Sequence, residues 1–263
     1  MQTFTLTTTW GQKHWNVYAK RCLESIAKHW PSQVQKIFYP DDITQQIDIP
    51  NTQYIDLHSQ QPELKEFITR NTNHPLVNER MEKPLRSKFE YDVIRFSYKV
   101  YCMLDAAEKC NTDQLIFIDA DTVTYKDIPL EWLDHIAPHD KFSTFLGRPK
   151  KGFSETGFIT FNMKLKESKD FFARWREYYT KDLWVNLVGF TDSFTYDAAR
   201  LDTTDRSLDN DLNDGRYLGY RGSKHPFVNS ELGDYMDHLK GDRKDIQSSV
   251  QDMKVKRQDD HWR

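Results

Sequence analysis

Two short stretches of this chain carry residue types that chemistry can use. The first is Leu115-Ile-Phe-Ile-Asp119-Ala-Asp121-Thr122. An apolar run ends in two carboxylates two residues apart. In an extended chain, residues i and i+2 face the same side, with Cα atoms about 6–7 Å apart. Such a pair can converge on one hard divalent cation, which prefers oxygen ligands. Ala120, small and pointing the other way, packs against a sheet without competing. The plain alternative is a pair of acids capping the turn that follows.

The second stretch is His238-Leu-Lys-Gly241-Asp-Arg-Lys244. A neutral imidazole can complete a metal shell begun by carboxylates. Glycine lets the backbone approach a phosphate closely, and lysine supplies a point charge for phosphate oxygens. Read alone, this is more simply a polar loop with solvated basic residues. Read together, the two stretches supply two oxygen ligands, a third ligand and a phosphate cation, as a metal-bound diphosphate requires.

The elements that must position these groups follow from periodicity. Phe4 to Thr8 alternates apolar and polar residues and reads as a strand. Ala19, Cys22, Leu23, Ile26, Ala27 and Trp30 repeat at helical spacing, and Pro31 ends the pattern. Val34–Tyr39 is a second strand, and Tyr54–Leu57 a weaker third. Residues 58–88 are polar, with a short helix expected at Glu63–Thr72. Val93, Phe96, Val100, Leu104 and Ala107 mark a helix over Glu90–Glu108. Leu115–Ile118, apolar on both faces, suits the centre of a parallel sheet covered by helices. Phe142–Leu146 and Gly157–Phe161 are further strands, Glu167–Leu183 is an aromatic-rich helix, and the charged tail from Asp245 reads as solvated or disordered. The order of elements predicts an α/β fold, with a central, mostly parallel sheet flanked by helices.

Composition bounds the function classes. The chain has 263 residues and a net charge of −3, with 38% apolar residues, enough for a core. Balanced charge makes nucleic acid a poor partner. Residues 1–10, MQTFTLTTTW, do not read as a secretory signal, and no apolar run approaches the about 20 residues of a transmembrane segment. The cysteines Cys22, Cys102 and Cys110 argue against a disulfide framework and for a reducing, cytoplasmic setting.

With these motifs in view, the chain resembles the GT-A glycosyltransferases, and within them the retaining galactosyl- and glucosyltransferases of family eight. Asp119-Ala120-Asp121 looks like their Asp-x-Asp motif, and His238, Gly241 and Lys244 like their His-x-x-Gly-x-x-Lys. Glu155-Thr-Gly157-Phe-Ile-Thr-Phe-Asn162 is similar to their Asn-Ser-Gly strand, with Glu155 and Thr156 replacing Asn and Ser. Gly189-Phe-Thr-Asp192-Ser193 sits where the family has Asp-Gln, and no Pro-Trp follows Lys244.

The resemblance implies a single GT-A domain over 1–263, with a nucleotide-sugar-binding half (1–125) and an acceptor half (126–263) bearing the C-terminal motif. It implies transfer of a hexose from a UDP-sugar to a carbohydrate or glycoconjugate acceptor, with retention. Asp119, Asp121 and His238 would hold Mn²⁺ or Mg²⁺. Asp119, Gly157, Gly241 and Lys244 would meet the donor, joined by Thr7 and Thr8 at the end of the first strand and by Arg95, with Lys99 on the same helix face. Asp192 would orient the sugar or stabilise its charge; its bland alternative is a helix N-cap. The competing expectations are a metal-dependent nucleotidyltransferase, which would need a glycine-rich basic loop where Thr7–Trp15 has only Gly11 and Lys13, and a non-catalytic nucleotide-sugar-binding protein.

Overall fold

The computed structural model describes residues 1–148, 153–213 and 225–262. The strands are β1 (Phe4–Trp10), β2 (Gln35–Pro40), β3 (Thr52–Tyr54), β4 (Gln114–Ile118), β5 (Thr122–Thr124), β6 (Ser143–Leu146), β7 (Glu155–Asn162), β8 (Asp209–Asp211) and β9 (Met236–His238). The helices are α1 (Lys20–His29), α2 (Leu57–Gln60), α3 (Pro62–Asn71), α4 (Pro75–Glu82), α5 (Val93–Lys109), α6 (Leu130–Ile136), α7 (Lys166–Thr180), α8 (Asp192–Thr203), α9 (Pro226–Asn229) and α10 (Arg243–Ile246). Among the described residues, seven strands form one sheet in the order β3-β2-β1-β4-β7-β6-β8. Strands drawn from both 1–125 and 126–263 share it.

β4 lies at the centre, parallel to β1 and antiparallel to β7. The all-parallel surroundings expected for β4 therefore hold on one edge only. β7 alone runs against the other six, because β6 and β7 pair as an antiparallel neighbour pair. The apolar run of β4 is buried on both faces, as its composition requires. Leu115 and Phe117 pack with Val100, Leu104, Phe161 and Trp175 on the α5–α7 side. Ile116 and Ile118 pack with Leu6, Leu23, Ile26 and Met236 on the α1 side. The alternation of β4 thus joins two cores through one strand.

Local chemistry explains most element ends. Asp92 caps α5 by accepting from Arg95 N at 3.1 Å. Pro62 and Pro75 open α3 and α4, where the missing N–H costs nothing. The weak third strand falls at Thr52–Tyr54; Leu57 instead begins α2, since Asp56 accepts from His58 N and Ser59 N. The polar stretch 58–88 holds three helical segments rather than one. α7 stops at Thr180, ahead of Asp182 at φ 52°, whose carboxylate accepts from Arg70. The charged tail is also not wholly solvated: Trp262 is 5% exposed and donates to the Tyr125 hydroxyl at 2.8 Å.

Candidate active site

Asp119 follows the last residue of β4. Its backbone N–H donates to Gly157 O on β7 at 2.9 Å, and its carbonyl accepts from Thr122 N at 2.9 Å. This tight turn carries the chain from β4 straight into β5. β5 pairs antiparallel with β9, placing Thr122 opposite His238, and Leu239 N donates to Asp121 O at 2.9 Å. A two-stranded ribbon therefore brings the second motif onto the first.

His238 Nε2 lies 3.0 Å from Asp121 Oδ1 and 3.3 Å from Asp119 Oδ2. Lys244 Nζ sits 2.7 Å from Asp121 Oδ2. Lys99 Nζ lies 2.8 Å from Asp119 Oδ1 and 2.8 Å from Asp192 Oδ2, and donates to Thr156 O at 2.8 Å. Asp192 Oδ2 also accepts from Thr156 Oγ1 at 2.5 Å. Asp192 is the first residue of α8, after the N-cap position Thr191, and is no cap itself. The capping alternative for Asp119 and Asp121 is likewise not what their side chains do.

Burial dominates the electrostatics of this cluster, and the partners decide its sign. Desolvation alone would raise Asp121, yet His238 and Lys244 hold its carboxyl far below the usual range. Desolvation would lower His238, yet Asp121 and Asp119 raise it to about 9. Burial opposes the charge of Lys99, but Asp119 and Asp192 keep it protonated.

A second charged group adjoins the first. Buried Glu155 accepts from Lys240 Nζ at 2.5 and 2.6 Å and pairs with Arg148. Its Oε1 is 4.0 Å from His238 Nδ1. Atoms of Asp119, Glu155 and His238 lie within 4.8 Å of one another. Two donor sets are thus available around the imidazole. The oxygens of Glu155 are engaged by Lys240 and Arg148, and those of Asp121 by His238 and Lys244. Glu155 stood in the sequence only as a departure from a family motif, because the cations that meet it are 7 and 85 positions away.

No protein-family model matches the chain, and comparison with curated proteins finds no relative. Several solved structures align with it, three of them as follows. Mouse xyloside xylosyltransferase 1 aligns at 11% identity over 83% of this chain and 92% of its own, with a TM-score of 0.48. The glycosyltransferase GlyE of Streptococcus pneumoniae TIGR4 aligns at 12% over 86% of this chain and 50% of its own, with a TM-score of 0.47. The bifunctional glycosyltransferase WbbM aligns at 12% over 80% and 39%, with a TM-score of 0.41.

The remaining expected residues divide. Gly241 takes φ +58° and turns the chain so that Lys244 comes back onto Asp121. Arg95 is exposed and lies over the Phe89 ring at 4.8 Å; its charge reaches His14 and Tyr18 at the mouth of the site. Gly157 does not present open backbone to a ligand. A Cβ there would fall 2.3 Å from His238 Cε1, so the glycine makes room for the imidazole. Thr7 and Thr8 lie inside β1 rather than at its end. Thr7 Oγ1 donates to Ile37 O at 2.7 Å, and both residues are buried within the sheet, because the strand continues to Trp10.

Sequence reasoning missed His14 and Tyr18, which stack at 5.0 Å in the turns after β1. Lys244 Nζ lies 4.8 Å from the Tyr18 ring. The five-residue π turn Trp15–Ala19 that presents Tyr18 has no signature in composition.

Proposed function

We propose that the chain is a metal-dependent glycosyltransferase of the GT-A type, moving a hexose from a UDP-sugar onto a carbohydrate or glycoconjugate acceptor with retention of configuration. The observation that carries this reading is the meeting of Asp119, Asp121 and His238 at the carboxyl end of the central strand, with Lys244 against Asp121. Open α/β sheets bind ligands at that end. Two carboxylates and an imidazole are a suitable donor set for Mn²⁺ or Mg²⁺, and His238 Nε2 lies 3.3 Å from Asp119 and 3.0 Å from Asp121. When bound, such an ion supplies charge neutralisation for a diphosphate leaving group.

The chain's own residues do the rest. Asp119, Asp121 and His238 hold the ion. Lys244 offers a point charge to a phosphate oxygen, and the Gly241 turn delivers it. Arg95 adds a second positive charge at the mouth. Asp192 is fixed through Oδ2 by Lys99 and Thr156. Its Oδ1 has no hydrogen-bond partner among the described residues, so it can meet sugar hydroxyls or the positive charge that grows on the ring during glycosyl transfer. The nucleotidyltransferase reading is weaker, because compact turns, not a glycine-rich loop, follow β1.

The test is the thermal midpoint of wild type and Asp121→Asn with UDP, UDP-glucose or UDP-galactose, with and without Mn²⁺. A ligand that binds only the native state raises the midpoint by mass action. The expected result is a UDP shift that needs Mn²⁺ and disappears in the variant. No shift with UDP at saturating Mn²⁺ removes the UDP-sugar donor.

A further inference from the structure

Asp121 has only two carboxylate oxygens, and both are engaged by cationic partners. Oδ1 meets His238 Nε2 at 3.0 Å and Oδ2 meets Lys244 Nζ at 2.7 Å. The Lys244 side chain is 21% exposed and that of Asp121 14%, so this ion pair is largely shielded from water. Lys244 also has a second seat. Its ammonium lies 4.8 Å from the Tyr18 ring, and that ring stacks on His14 at the mouth. Lys99 differs: it is tied at once to Asp119, Asp192 and Thr156 O, and the ring it lies over, Phe117 at 4.7 Å, is buried in the core.

We propose that Lys244 is an exchangeable counter-ion: it neutralises Asp121 in the metal-free protein and transfers to the donor diphosphate when a divalent cation takes Asp121. This rests on the metal–diphosphate reading above and adds a binding order to it. A divalent cation on Asp121 and an ammonium on the same carboxylate repel each other at such separations. Without a phosphate, displacing Lys244 leaves its charge stranded over Tyr18. With a diphosphate present, the ammonium gains a new partner. Metal and nucleotide therefore help one another bind, and the coupling is reciprocal by linkage.

The experiment measures Mn²⁺ affinity from the electron-paramagnetic-resonance signal of free Mn²⁺, with and without UDP. UDP affinity is measured calorimetrically at saturating Mn²⁺. The proteins are wild type, Lys244→Met, Lys244→Gln and Lys13→Met, the last removing an exposed like charge from the turn after β1. In wild type, UDP is expected to tighten Mn²⁺ by at least about 10-fold, within the usual range of coupling. Both Lys244 variants should bind Mn²⁺ alone about fivefold more tightly, because the internal competitor is gone, and bind UDP more weakly. Weaker or unchanged Mn²⁺ binding in the folded Lys244 variants overturns the inference. So does equal tightening in Lys13→Met, which would make the effect long-range charge rather than exchange. Absence of both Mn²⁺ and UDP binding in wild type overturns instead the functional reading on which the inference stands.

Discussion

Gly157 on β7 lies directly beneath His238 on β9: a methyl group at Gly157 would stand 2.3 Å from Cε1 and 2.6 Å from Nδ1 of the imidazole. The position of the imidazole thus depends on a missing side chain in the other sheet. Gly157→Ala forces the ring off Asp119 and Asp121. Overpacking of this kind costs about 1–3 kcal/mol. The larger effect expected is on Mn²⁺ affinity, with a loss of about 10-fold or more, as for disturbed ligand support generally. Titration with Mn²⁺ beside a urea melt checks both. Wild-type Mn²⁺ affinity in a folded Gly157→Ala protein would contradict the contact.

Among the described residues, Lys99 is the cation that bridges Asp119 and Asp192. Lys99→Met leaves the buried Asp192 carboxylate facing the partly exposed Asp119 carboxylate, and breaking a buried group from one side costs about 3–5 kcal/mol. The double variant Lys99→Met/Asp192→Asn should recover part of that loss, since one stranded charge is removed with its partner. Chemical denaturation of the four proteins in the cycle measures it. Additive losses would mean that the two residues do not interact.

The pH response of the metal-free protein follows from His238. Its folded value of about 9 lies above its ordinary 6.5, because Asp121 and Asp119 outweigh desolvation. A raised value means that the native state binds the proton more tightly than the unfolded chain. The contribution is therefore full below about pH 6.5 and is lost as pH rises through about 9. The stability gap between wild type and His238→Gln should shrink over that window in chelator-treated samples. A gap that stays constant from pH 6 to 9.5 excludes the proton on His238.

The docked tail supports the ribbon that carries His238. Trp262 packs edge-on against Tyr125, next to β5, at 5.5 Å, and His261 Nε2 donates to Asp237 Oδ2, 3.0 Å away, beside His238 itself. Trp262→Ala is expected to cost about 3–5 kcal/mol, the usual range for a buried tryptophan. A thermal melt reads this directly. A midpoint within a degree of wild type would show that the tail contributes nothing to the fold.

Much of this architecture was legible in residue order because it is written in local periods. The helical repeat of Cys22, Leu23 and Ile26 and the doubly apolar run Leu115–Ile118 each report burial that their own side chains demand. The Asp119-Ala120-Asp121 spacing placed two carboxylates on one side of a turn, and the types of His238, Gly241 and Lys244 announced their chemistry. The orientation of β7 was not legible, since an alternating strand looks the same in either direction. Nor was the docking of Trp262, which a charged surrounding sequence concealed.

The sequence by itself determined the longer periodic elements, the residue types offered as ligands and the charge types, because these depend on neighbours within a few residues. Only the tertiary structure decided the partners. That His238 lies on Asp121, that Lys99 bridges Asp119 and Asp192, that Gly157 clears the imidazole and that the Thr7 hydroxyl is spent inside the sheet all depend on residues 20 to 117 positions apart. Such contacts are fixed by strand pairing and packing, and no local pattern encodes which distant side chain will fill a given space.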